Sequence, residues 1–164
     1  MFQFTEATAL LGVAIMLKLI EAMLSRRNAE RLIDAGAQDR SADFYLLWMA
    51  LQGGGLFLIA ATMDPERSPP LFALLLFAPL LLARAGIVLR YRRDWTARLL
   101  TNDNGDLIDP IPRQYRNLSL GLTAAEAAAL PLVLGLPLVA LALGVLHVAF
   151  IAYRIRLERI LARG

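Results

Sequence analysis

The sequence predicts an all-α integral membrane protein. It has five transmembrane helices, the last two forming a tight hairpin, with the N-terminus outside and the C-terminus cytoplasmic. Three observations lead there. Five apolar runs approach the roughly 17–25 residues that a helix needs to cross a bilayer. The basic residues gather on one side of those runs. The composition is 58% hydrophobic over 164 residues, with a mean hydropathy of +0.56, well above the apolar share of an ordinary soluble domain.

The first span is read over residues 5–24, with Lys18 and Glu21 near its end, spaced to pair with each other or to reach the interface. Ser25-Arg26-Arg27 follows as a stop-transfer flank rather than a cleavage site. Residues 25–43 place Ala29, Leu32, Ile33 and Ala37 at helical spacing between charges, which predicts a separate interfacial helix. The second span, 44–63, contains Gly53-Gly54-Gly55, either a close-packing surface or a kink. The third, 70–88, opens after Pro69-Pro70, a helix start. A long connection carries arginines first. It then turns through Asn102-Asp103-Asn104-Gly105-Asp106 and Pro110-Ile111-Pro112. Spans four and five, 118–134 and 138–153, are separated only by the break at Gly135-Leu136-Pro137. The chain, 1–164, is one membrane domain without an internal repeat.

Orientation follows from counting cations. Arg26, Arg27, Arg31 and Arg40 lie between spans one and two. Arg90, Arg92, Arg93, Arg98, Arg113 and Arg116 lie between spans three and four, and Arg154, Arg156, Arg159 and Arg163 follow span five. The other side has Arg67 alone. Fourteen against one places the first side in the cytoplasm. The net charge of +3 and pI near 9.8 thus reflect topology and contact with anionic lipid, not nucleic acid. The absence of cysteine removes disulfides, thiolate metal ligation and thiol nucleophiles. One histidine, His147, cannot build a multi-histidine metal site; it reads as a hydrogen-bonded helix–helix contact.

Four blocks in order carry a resemblance to a known family: Ser25-Arg26-Arg27-Asn28 with Gly36-Ala37 and Phe44-Tyr45; Arg84 with Trp95-Thr96-Ala97-Arg98; Glu126 through Leu132; and Arg154-Ile155-Arg156-Leu157-Glu158. Together they resemble the bacterial isoprenylcysteine carboxyl methyltransferase-like integral membrane proteins, which implies the inner membrane of a bacterium as the location. The resemblance implies S-adenosylmethionine in a cytoplasmic pocket held by Arg113, Arg116, Asn117, Arg156 and Glu158. It also implies a lipophilic carboxylate or hydroxyl acceptor beside Arg84 and Glu126, and no metal. The chain departs from the family pattern where an Arg-His-Pro-Asn-Tyr block belongs: it has Arg116-Asn117-Leu118-Ser119-Leu120, and a Glu-Glu pair has become Glu158-Arg159. The leading expectation is therefore a non-catalytic accessory subunit of this scaffold. Its partners would be membrane lipids and other membrane protein subunits. The alternative is an active methyltransferase with a divergent pocket. For Arg84 and Glu126 the simplest expectation is a structural ion pair inside the bundle.

Overall fold

The computed structural model describes residues 5–108 and 111–161. Asp109 and Pro110 of the long connection, and Arg163 of the C-terminal basic group, lie outside the described residues. Five helices make the fold: α1 (Glu6–Asp34), α2 (Ala42–Thr62), α3 (Leu71–Arg90), α4 (Arg113–Val133) and α5 (Pro137–Leu161). Three two-residue strands, β1 (Gln38–Asp39), β2 (Leu100–Thr101) and β3 (Leu107–Ile108), form a small antiparallel sheet in the order β1-β2-β3.

Helix α1 starts at a capping box: Thr5 Oγ1 accepts from the Thr8 N–H, and Thr8 Oγ1 accepts from the Thr5 N–H. It then runs 29 residues without interruption. The separate interfacial helix expected after Ser25 does not exist, because no glycine or proline interrupts the chain between Gly12 and Gly36. The apolar positions expected to lie on a membrane surface instead cover the sheet, with Ala29, Ala37 and Leu100 packed together and Leu32 against them. Gly36 ends the helix at φ +100°. The N–H groups of Gly36 and Ala37 return to the carbonyls of Ile33 and Leu32, the paired bonds of a Schellman motif.

The α4–α5 hairpin closes by the same device. Gly135, at φ +77°, donates to Leu132 O, and Leu136 donates to Pro131 O. Pro137 then opens α5, where its missing N–H costs nothing. The polar run Arg113–Asn117 is the first turn of α4 rather than a lead-in to it. Likewise α5 continues past Tyr153 to Leu161. The glycine triplet produces no break in α2. Gly55 allows close approach, since a Cβ there would lie 3.2 Å from a Leu143 methyl carbon of α5. Gly53 and Gly54 face open space.

Helix α4 is the centre of the bundle, packed between α3 and α5, with α2 against α5 and α1 against α2. Its buried residues Ser119, Thr123, Glu126, Leu130 and Val133 recur every three to four positions, one stripe turned inward. The apolar core joins Leu11, Ala14, Ile59, Phe77, Leu130 and Leu143 from all five helices. Helices α1, α2, α3 and α5 are long and apolar enough to cross a membrane. Helix α4 matches α2 in length at 21 residues, but its polar first turn and Glu126 keep it out of that group. Of these positions, Arg116 and Glu126 pair with charged side chains of other helices, while Arg113, Gln114 and Asn117 are exposed.

Candidate functional site

Four ionisable side chains from three helices converge inside the bundle. Arg84 on α3 uses its guanidinium edge on Glu21 of α1: Nε donates to Glu21 Oε1 at 2.7 Å, and Nη2 bonds the second oxygen. Its Nη1 donates to Glu126 Oε2 on α4 at 2.7 Å. Lys18, one helical turn before Glu21, donates to that same Oε2 at 2.9 Å. Lys18 and Glu21 therefore do not pair with each other or reach for the interface. They cross-link α1 to α3 and α4, because the i, i+3 spacing puts both on the inward face of α1. Two cations and two carboxylates make the quartet formally neutral, the composition that a low-dielectric interior tolerates. The expected Arg84–Glu126 pair is present as one edge of it.

A second cluster lies where α4 begins and α5 ends. Arg116 approaches Glu158 at 3.1 Å. Arg154 donates from Nε to Glu158 Oε1 at 3.0 Å and from Nη1 to the Ala97 carbonyl at 3.0 Å. The loop carrying Ala97 is held from α1. Asn28 Nδ2 donates to the carbonyls of Arg92 and Trp95, and Ser25 Oγ accepts from the Ala97 N–H. Trp95 is buried with Ile87, Val88 and Ile111.

Two adjoining cavities flank the quartet. The smaller, about 140 Å³, lies among all five helices and is lined by apolar side chains around Lys18, Glu21, Gln52, Arg84, Glu126 and His147. The larger, about 410 Å³, runs between α1 and α2 from Phe57 and Ala60 down to Trp95, Arg116 and Arg154. At the wall of the smaller cavity, His147 Nδ1 meets the Leu143 carbonyl at 2.8 Å, and its Nε2 meets Gln52 Nε2 at 3.0 Å. A carbonyl only accepts, so Nδ1 carries the proton and Gln52 donates to Nε2. Together with the edge of Trp48, this makes His147 a contact between α5 and α2. Among the described residues no group of histidine, cysteine or carboxylate side chains is arranged to hold a metal ion.

Of the residues expected to hold a cofactor, Arg116 and Glu158 are brought together, whereas Arg113, Asn117 and Arg156 are exposed. Arg154, Ser25 and Gln52 were not singled out as site residues. Arg154 differed from its neighbours in no sequence signal except the i, i+4 spacing to Glu158. Searches against protein-family models, curated proteins and solved structures find no match to this chain.

Proposed function

We propose that this is an integral membrane protein of the bacterial inner membrane, N-terminus outside and C-terminus cytoplasmic. In this reading it keeps a methyltransferase-like scaffold but works without catalysis, as an accessory subunit that packs against lipid and partner membrane proteins. The observation that carries the reading is where the site cations go. Arg84 is spent on Glu21 and Glu126, Lys18 on Glu126, and Arg116 and Arg154 converge on Glu158. A pocket built to clamp a cofactor carboxylate presents its guanidinium groups to the ligand; here protein carboxylates hold them. Asn117, Arg113 and Arg156 are exposed.

The decisive experiment is calorimetric titration of S-adenosylmethionine and of its demethylated product into the purified protein. No heat of binding in a folded sample is the expected result. A micromolar Kd for either compound refutes the reading. One feature favours the methyltransferase alternative: the 410 Å³ cavity falls in the size range of small-molecule sites. Its walls include Trp95, Thr96 and Arg116.

A further inference from the structure

The turn that leaves α3 carries charge that the protein itself does not use. Arg90, Arg92 and Arg93 fall within four residues, and all three are exposed. Among the described residues no ion pair engages any of them. The acid of the same turn, Asp94, faces Arg31 of α1 at 3.4 Å. The turn is nevertheless held in place from two sides. Arg31 Nη2 donates to the Arg93 carbonyl at 2.6 Å, and Asn28 Nδ2 donates to the Arg92 carbonyl at 2.9 Å. The Tyr91 ring packs 5.3 Å from that of Tyr115 on α4, and the Arg90 guanidinium lies 5.9 Å from the Tyr91 centroid. Cations on a turn already fixed lose less entropy on meeting a ligand than cations on a free loop.

Next to these arginines the outer face of α3 is apolar and open. Leu82 and Leu89 are 72% and 64% exposed. Gly86 lies between them, and a Cβ added there would meet nothing within 4 Å. Leu82, Gly86, Leu89 and Arg90 recur at helical spacing and so share one face. A surface that passes from exposed leucines to clustered guanidinium groups within one turn matches an amphiphile with an anionic head. A water-soluble polyanion would gain nothing from the leucines. Guanidinium forks suit the several oxygens of a phosphate, and basic residues beside a membrane helix recognise anionic lipid. We propose that the end of α3 binds an anionic glycerophospholipid, with its phosphodiester held by Arg90, Arg92 and Arg93 and its chains along Leu89, Gly86 and Leu82. The proposal rests on the reading of the chain as a membrane protein and narrows which lipid it packs against, and where. It is separate from the quartet and its cavities, since none of these arginines lines either one.

The test titrates dioleoylphosphatidylglycerol and dioleoylphosphatidylcholine into the detergent-purified protein, with bound lipid counted by native mass spectrometry. The wild type should bind phosphatidylglycerol about tenfold more tightly than phosphatidylcholine. Arg90→Gln combined with Arg92→Gln should remove that preference, because each cation at a membrane surface is worth roughly fivefold in lipid affinity. Arg26→Gln combined with Arg159→Gln takes the same charge from exposed arginines of α1 and α5; it should change the affinity less than about twofold. Deacylated glycerophosphoglycerol should not displace the lipid, which separates a lipid site from a site for free phosphate esters. Equal affinity for the two lipids overturns the proposal, as does an equal effect of the two double variants. Displacement by the deacylated head group does the same. The wild-type comparisons keep the test decisive if a variant does not fold. Release of the chain from cell membranes by alkaline carbonate would refute the membrane reading. A chain that stays in the membrane and shows no preference for phosphatidylglycerol refutes this site alone, so the two failures are distinct.

Discussion

Replacing Arg84 by methionine tests whether the quartet holds the bundle together. The guanidinium makes three bonds, two to Glu21 and one to Glu126, and its side chain is 8% exposed. Its loss changes the cluster from neutral to one net negative charge. Lys18 still covers Glu126, but Glu21 loses every partner shown for it. Breaking a buried pair by removing one member costs about 3–5 kcal/mol, mostly the desolvation of the orphaned charge. Arg84→Met should therefore destabilise by an amount in that range. Adding Glu21→Gln removes the orphan and restores neutrality, and should recover more than half of the loss. The coupling between the two positions would then exceed about 2 kcal/mol. Reversible unfolding in mixed detergent micelles, read by helical circular dichroism, supplies all four corners of the cycle. A loss below about 1 kcal/mol for Arg84→Met would refute the reasoning, because that is the scale of a surface pair. Additive losses in the double variant would refute it equally.

Three other outcomes are expected. Gln52→Leu deprives His147 Nε2 of its donor, yet hydrogen bonds between membrane helices average only about 0.6 kcal/mol. The same unfolding assay should therefore register a loss near that value. Asn28→Ala removes the donor shared by the Arg92 and Trp95 carbonyls; protease cleavage between residues 91 and 99 should accelerate severalfold while the helical content stays constant. The native chain has no cysteine, so single-cysteine variants report topology cleanly. In intact cells an impermeant maleimide should label Ser68→Cys and spare Asn104→Cys until the membrane is opened. The reverse pattern would invert the proposed orientation.

The helices were legible because their signals are local: runs of apolar residues, proline at starts, and glycine at Gly135 where the backbone turns left-handed. The hairpin break at Gly135-Leu136-Pro137 was legible for the same reason. The continuity of α1 was harder to see, since a change from apolar to charged residues at Ser25 looks like a boundary while the backbone has no cause to stop. The sheet escaped notice because its strands are two residues long, below any periodic pattern. Only the hairpin turn between β2 and β3, where Asn102 accepts from the N–H groups of Asn104 and Asp106, announced itself as a turn. For the site, Arg84 and Glu126 stood out as charges in apolar runs. The partners of Lys18 and Glu21 did not, because they lie on other helices at separations of 108 and 63 residues.

Helix α1 has a mechanical consequence. It is one rod, clamped mid-length by Lys18 and Glu21 and clasping the loop after α3 through Ser25 and Asn28 at its far end. From Lys18 to Arg31 the arm measures roughly 20 Å at 1.5 Å per residue. Helices answer a change in bilayer thickness by tilting, and a tilt of about 10° about the clamp moves that arm's tip about 3 Å. Such a shift is comparable to the length of the hydrogen bonds joining it to the loop. In the proposed membrane setting the stretch from Arg92 to Ala97, and with it the carbonyl that anchors Arg154, would be geared to the thickness of the bilayer.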